Sequence, residues 1–168
     1  EEHYSNTLIF DYNNIASLQV LFDQYPGQIA AVILEPATTL IPCMFNDCHY
    51  YKSLDHICAE CKNNQNNFLH QVQNICNKNA TVFILDEMIT GFRWHLNGAQ
   101  TYFNVQPDLS TFGKGMANGF SVSAICGKKK IMELGSITNI NEERVFLLST
   151  YQLKFCSQQL FLMVLKKI

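Results

Sequence analysis

No run of apolar residues in this sequence approaches the ~20 needed to cross a bilayer as a helix; the longest, such as residues 29–34, are a fraction of that length. Charge of one sign is not in excess either. Lys and Arg number 12 against 14 Asp and Glu, for a formal net charge of −2. There is neither a basic patch suited to nucleic acid nor a basic amphipathic face suited to a membrane surface. A signal peptide and an initiator methionine are also lacking, since the chain begins Glu1-Glu2-His3, and we expect a processed chain or a piece of a longer one. Seven cysteines, an odd number and without a secretory signal, are expected as reduced thiols in a cytoplasmic protein. What is present is enough for one domain with a sizeable core: 168 residues, 48% of them apolar.

Apolar periodicity organises the chain. Ile15, Leu18, Leu21 and Phe22 have helical spacing within residues 13–24, with Asn13 or Asn14 as the N-cap and Pro26-Gly27 as the stop. Residues 29–34 form a continuous apolar run bounded by Gly27 and Pro36, the pattern of a strand buried on both faces. Phe68, Leu69, Val72, Ile75 and Cys76 again share one helical stripe, and residues 81–85 form a second buried strand that ends at Asp86-Glu87. Shorter strands are expected over 109–112, 122–126 and 145–149, a helical turn over 129–134, and a helix over 157–167. Buried strands alternating with helices indicate an α/β layered domain, in which ligands gather at the carboxyl ends of the strands.

Residues 38–67 break this pattern. They are rich in Cys, Asn and Tyr, with one short helix expected over 54–61, and read as an insertion between a strand and a helix. Within them Cys43, Cys48, Cys58 and Cys61 form C-x4-C-x9-C-x2-C. Four thiolates can close a tetrahedral zinc site, but the central gap is short and the first spacing unusual. Four free thiols are the alternative. Cys76 and Cys126 sit in apolar stretches and read as small core residues.

Two residues carry candidate chemistry. Asp86 is an acid at the end of an apolar strand, costly to bury without a partner. A cationic ligand nitrogen would supply one; a helix N-cap or a salt bridge to Arg93 would supply another. Lys114 follows a strand and lies between Gly113 and Gly115, which permit unusual backbone angles and close approach of a ligand. A lysine in a partly apolar pocket can act as a Schiff-base nucleophile. The competing reading is a solvated loop lysine.

Taken in order, the motifs narrow the choice. Ala31-Val32-Ile33-Leu34-Glu35-Pro36 is followed by Ile84-Leu85-Asp86-Glu87-Met88-Ile89-Thr90-Gly91-Phe92-Arg93 and by Gly98-Ala99-Gln100. Then come Pro107-Asp108-Leu109-Ser110-Thr111-Phe112-Gly113-Lys114-Gly115 and Asn118-Gly119-Phe120. This succession resembles the class-III pyridoxal-phosphate-dependent aminotransferases, nearest their glutamate-1-semialdehyde aminomutase-like branch. The resemblance covers residues 29–36 and 68–150. It implies part of the large domain of an aspartate-aminotransferase-like architecture (fold type I), a mostly parallel sheet flanked by helices. It implies pyridoxal 5'-phosphate as cofactor, Lys114 as the Schiff-base lysine and Asp86 as the partner of the ring nitrogen. It places Thr150 where the family has a threonine reaching the cofactor phosphate of the neighbouring subunit, and so implies a homodimer. Glu87 and Arg93 match motif positions and are given structural roles. The substrates implied are a small amino acid or amino-aldehyde, with no metal needed for the pyridoxal chemistry. An apolar residue at Ile89, where many ω-amino-acid aminotransferases have glutamine, points to the aminomutase-like branch.

The pattern also departs from the family. After Thr150 the chain reads Tyr151-Gln152-Leu153-Lys154-Phe155, where the family has a small-residue turn with an acid. We expect the family's phosphate-binding turn and ring-stacking aromatic residue to lie upstream of Glu1, and its small C-terminal domain to be missing from this piece. The chain by itself is expected to bind the cofactor weakly and not to turn over, and the rival expectation is a truncated, catalytically inactive relative that acts only as a structural or interaction fragment.

Overall fold

The computed structural model describes residues 6–37, 39–43, 66–117 and 119–135. The described residues divide between two compact units, Glu1–Val32 with Ala37–Phe83, and Ile33–Pro36 with Ile84–Ile168. The boundary passes through two of the strands.

The first unit is built on two helices that pack together, α1 (Ile15–Gln24) and α2 (Phe68–Lys78). Each begins at an asparagine whose side chain accepts an N–H that the first turn leaves without a helical partner. Asn14 accepts from the amide of Ser17 at 3.3 Å and Asn67 from that of His70 at 3.2 Å. Leu18 and Phe22 of α1 are buried, as are Phe68, Leu69, Val72 and Cys76 of α2. These lie at i, i+4 and i+3 intervals, so each helix buries one stripe. Burial of each large side chain contributes roughly 1.5–3 kcal/mol. The rings of Tyr12 and Phe68 meet edge to face, 4.9 Å apart. Of the two asparagines expected to compete for the cap of α1, Asn14 takes it. Asn13 adopts φ 61 and crosslinks a distant segment: its amide donates to the Ile41 carbonyl at 2.9 Å, and its oxygen accepts from the Cys43 amide at 3.0 Å.

Among the described residues four strands, β1 (Ala31–Leu34), β2 (Val82–Glu87), β3 (Leu109–Phe112) and β4 (Ala124–Gly127), follow one another in the order β1-β2-β3-β4. The sheet is mixed and mostly parallel. β2 and β3 run parallel, with Ile84 opposite Leu109, Asp86 opposite Thr111 and Glu87 opposite Phe112. β4 pairs antiparallel to β3, with Thr111 opposite Ile125 and Phe112 opposite Ala124.

Both apolar runs were expected to be buried on two faces, and neither is so among the described residues. In β1, Val32 is buried while Ile33 is 57% exposed. In β2, Phe83, Leu85 and Glu87 are buried and Val82, Ile84 and Asp86 only partly so. The physical reason is the period of two: alternate residues face opposite sides, and only one side is closed by the described chain.

The second unit adds three short pieces: α3 (Ala99–Tyr102), a 3₁₀ turn over Lys114–Ala117, and α4 (Lys129–Met132) running into a second 3₁₀ turn, Glu133–Gly135. Trp94 meets Tyr102 and Phe103 at 5.2 and 5.3 Å and, with Phe103 buried, closes an aromatic cluster over α3. The helix over α3 had no counterpart in the sequence expectations. Those over 54–61 and 157–167, and the strand over 145–149, lie outside the described residues.

Candidate active site

The register of β2 and β3 sorts the polar residues at their carboxyl ends onto two faces. Asp86 and Thr111 are opposite one another on the half-buried face, and Glu87 and Phe112 on the buried one. Asp86 Oδ1 accepts two hydrogen bonds, from the Met88 amide at 3.0 Å and from Thr111 Oγ1 at 3.1 Å. Among the described residues no donor reaches Oδ2. The bond to Met88 is a side chain closing on the backbone two residues ahead, the turn that Asp and Asn favour. It is not the cap of a helix. Arg93 is exposed and, among the described residues, forms no ion pair with Asp86. Neither alternative weighed for Asp86 from the sequence therefore describes its partners.

Glu87 is fully buried. Its Oε2 accepts from the Ala99 amide at 2.6 Å and from Thr90 Oγ1 at 3.2 Å, and its Oε1 accepts from the Gln100 amide at 2.9 Å. The carboxylate thus satisfies two N–H groups that the start of α3 would otherwise leave bare in the interior. It also ties the end of β2 to a point twelve residues along the chain. Two glycines make room for it. Gly98 has φ 86, and a Cβ there would lie 2.7 Å from Glu87 Oε1. A Cβ at Gly91 would lie 2.6 Å from Phe112 Cδ1 and 2.7 Å from the Glu87 carbonyl oxygen. The sequence reading gave Glu87 a structural role without assigning one to Gly98, which the structure sets against its carboxylate.

Lys114 opens the 3₁₀ turn that follows β3. Its backbone is held: Met116 and Ala117 are buried, and the Met116 amide donates to the Gly113 carbonyl at 2.9 Å. Its side chain is exposed and, among the described residues, takes part in no hydrogen bond or ion pair. The flanking glycines were expected to supply the unusual backbone angles, but the left-handed angle falls on Lys114 itself, at φ 36. Gly113 instead supplies space, because a Cβ there would collide with the Met88 thioether. A left-handed conformation costs a non-glycine residue roughly 1–2 kcal/mol. Residues held in such conformations concentrate at functional sites. Arg93 lies alongside, its Nε 3.9 Å from the position of a Cβ at Gly115.

Asp86 and Lys114 therefore come from the carboxyl ends of two adjacent parallel strands. Thr111 was read in the sequence only as part of a motif; the strand register makes it the partner of Asp86. A cavity of about 420 Å³ at the other end of β3, lined by Gln100, Ser110, Cys126 and Lys128 among others, includes neither Asp86 nor Lys114. Of the zinc candidates, Cys43 is buried, and Cys48, Cys58 and Cys61 lie outside the described residues, as does Thr150. Among the described residues no group of three or more His, Cys, Asp or Glu is placed to hold a metal, and no helix is long and apolar enough to cross a membrane.

The arrangement is that of a transaminase fold. A solved transaminase with PLP bound superposes on 98% of this chain with a TM-score of 0.73, using 34% of its own length, at 17% sequence identity. The chain belongs to the class-III aminotransferase family, whose model matches residues 61–152. The chain is 40% identical over 129 residues to glutamate-1-semialdehyde 2,1-aminomutase 1 of Lachnoclostridium phytofermentans, covering 77% of this chain and 26% of that protein. It is 37% identical over 127 residues to the glutamate-1-semialdehyde 2,1-aminomutase of Wigglesworthia glossinidia brevipalpis, covering 76% and 25%. The chain spans about a quarter of the length of these relatives.

Proposed function

We propose that the chain carries the lysine and the ring-nitrogen partner of a pyridoxal 5'-phosphate enzyme that moves amino groups, with Lys114 and Asp86 in those roles. The observation that carries the reading is that, among the described residues, a lysine in no hydrogen bond or ion pair and a half-buried carboxylate with no donor at its second oxygen follow the carboxyl ends of adjacent parallel strands. The residues fit the group. Asp86 Oδ2 offers a negative acceptor to a protonated ring nitrogen, which meets the cost of holding that charge away from water. Lys114 Nζ, in no hydrogen bond or ion pair among the described residues, would hold the cofactor by its aldehyde carbon, the carbonyl oxygen leaving as water. When bound, the cofactor supplies an electron sink for cleavage of a bond at the amine-bearing carbon. With that group in place, Asp86 would keep its ring nitrogen protonated, and the Lys114 amine would take and return the proton at the substrate's α-carbon.

The substrate class is a small amino acid or amino-aldehyde. The two relatives are both glutamate-1-semialdehyde 2,1-aminomutases, which favours transfer within one molecule. The exposed apolar Ile89 beside the site is consistent with that branch. Passing the amino group to a second substrate is the transaminase alternative. Thr150 of one subunit is assigned to the cofactor phosphate of its partner in a cytoplasmic homodimer.

The test is to incubate the chain with pyridoxal phosphate, reduce with borohydride and map the modified peptide. A single tag on Lys114 is expected. A tag on another lysine, Lys128–130 for example, would overturn the assignment, and absence of any tag would favour a non-catalytic relative.

A further inference from the structure

We propose that Thr111 is the positioning residue of this site: its hydroxyl holds one oxygen of Asp86 so that the other faces the cofactor's ring nitrogen. The inference rests on the reading of Asp86 given above. It goes beyond that reading by naming what fixes the carboxylate.

An aspartate at a strand end has two side-chain torsions, and its terminal one is broad. A single hydrogen bond leaves the carboxylate free to swing about the bonded oxygen. Here two donors converge on the same oxygen from different elements. The Met88 amide comes from the chain just beyond β2, at 3.0 Å, and Thr111 Oγ1 from the adjacent strand, at 3.1 Å. The parallel register puts Thr111 directly opposite Asp86, on the same half-buried face. The hydroxyl has one proton and directs it at Asp86 Oδ1, so Oδ2 keeps its full capacity to accept. Thr111 is paired in the parallel ladder with β2, and the turn at Lys114 begins three residues after it. The residue that aims the carboxylate therefore also sits on the strand that delivers the lysine.

Valine is close to threonine in shape and lacks the donor, whereas serine keeps the donor and loses a methyl group. The experiment measures dissociation constants of the chain for pyridoxal phosphate and for its 1-deaza analogue, which has carbon in place of the ring nitrogen. The chain with Thr111 in place should prefer pyridoxal phosphate by about tenfold or more, the size of one charge-assisted hydrogen bond. Asp86→Asn should bring the ratio close to unity. Thr111→Val should move the ratio most of the way toward unity, and Thr111→Ser should retain it. A general loss of stability weakens both ligands alike and leaves the ratio untouched, so a structural role for Thr111 does not produce this result. If Thr111→Val keeps the full preference, the inference is wrong while the reading of Asp86 stands. If the unsubstituted chain shows no preference, the reading of Asp86 itself fails, and the inference with it.

Discussion

Replacing Glu87 by glutamine changes one oxygen to an NH₂ group in a site whose two backbone partners are both donors. Three bonds converge on the carboxylate, two at Oε2 from Ala99 N and Thr90 Oγ1 and one at Oε1 from Gln100 N. Glutamine can place its remaining oxygen at either position. At the Oε2 position it keeps the Ala99 and Thr90 bonds but points an N–H group at the Gln100 amide. At the Oε1 position it keeps the Gln100 bond, and Thr90 Oγ1 can accept from the NH₂ group, but that group faces the buried Ala99 amide with a donor. The first choice costs less, losing one bond to a charged acceptor, roughly 1.5–3 kcal/mol, and weakening the others by removing the charge. We expect Glu87→Gln to destabilise by about 2–4 kcal/mol. Glu87→Ala, which bares both amides and leaves a cavity, should be at the upper end or beyond. Trp94 is the single tryptophan of the chain and packs against Tyr102 and Phe103 beside α3, so its fluorescence reports urea unfolding where the perturbation acts. With a slope of about 1–3 kcal/mol/M, the expected loss lowers the urea midpoint by about 1 M or more. The Ala99 amide should also lose protection from hydrogen exchange. A Glu87→Gln midpoint within about 0.2 M of the parent would refute the reasoning, because a fully buried carboxylate with three partners cannot then be an anchor.

Three further outcomes follow from the same geometry. Gly98→Ala should cost at least about 2 kcal/mol by urea titration, since it combines a φ of 86 with a Cβ 2.7 Å from Glu87 Oε1; a neutral effect would mean that the loop before α3 relaxes freely. Gly113→Ala should be destabilising because its Cβ meets the Met88 thioether, and Met88→Ala should relieve it. A double-mutant cycle should show a favourable coupling of about 1 kcal/mol or more, and additivity would contradict the contact. Lys114→Gly should be more stable than Lys114→Ala by roughly 1 kcal/mol in thermal unfolding, because glycine alone relieves the left-handed backbone at position 114. Equal stabilities would place the strain elsewhere.

Local chemistry determined much of this protein from the sequence alone. Asparagine caps and i, i+4 apolar stripes set α1 and α2, since a helix is stabilised by groups a few residues apart. Apolar runs located β1 and β2, β3 was expected as a shorter strand, and the order of motifs around Asp86 and Lys114 pointed to the class-III aminotransferase family. Tertiary structure decided what depends on residues far apart in the chain. That one face of β2 is closed and the other half open follows from what packs on the sheet, which an apolar run does not encode. That Gly113 gives space depends on Met88, which reaches the turn from just beyond the neighbouring strand, while the left-handed angle falls on Lys114. The pairing of Asp86 with Thr111 spans 25 residues and exists only because two parallel strands adopt one register. A shift of that register by a single residue would turn one of the two side chains to the other face.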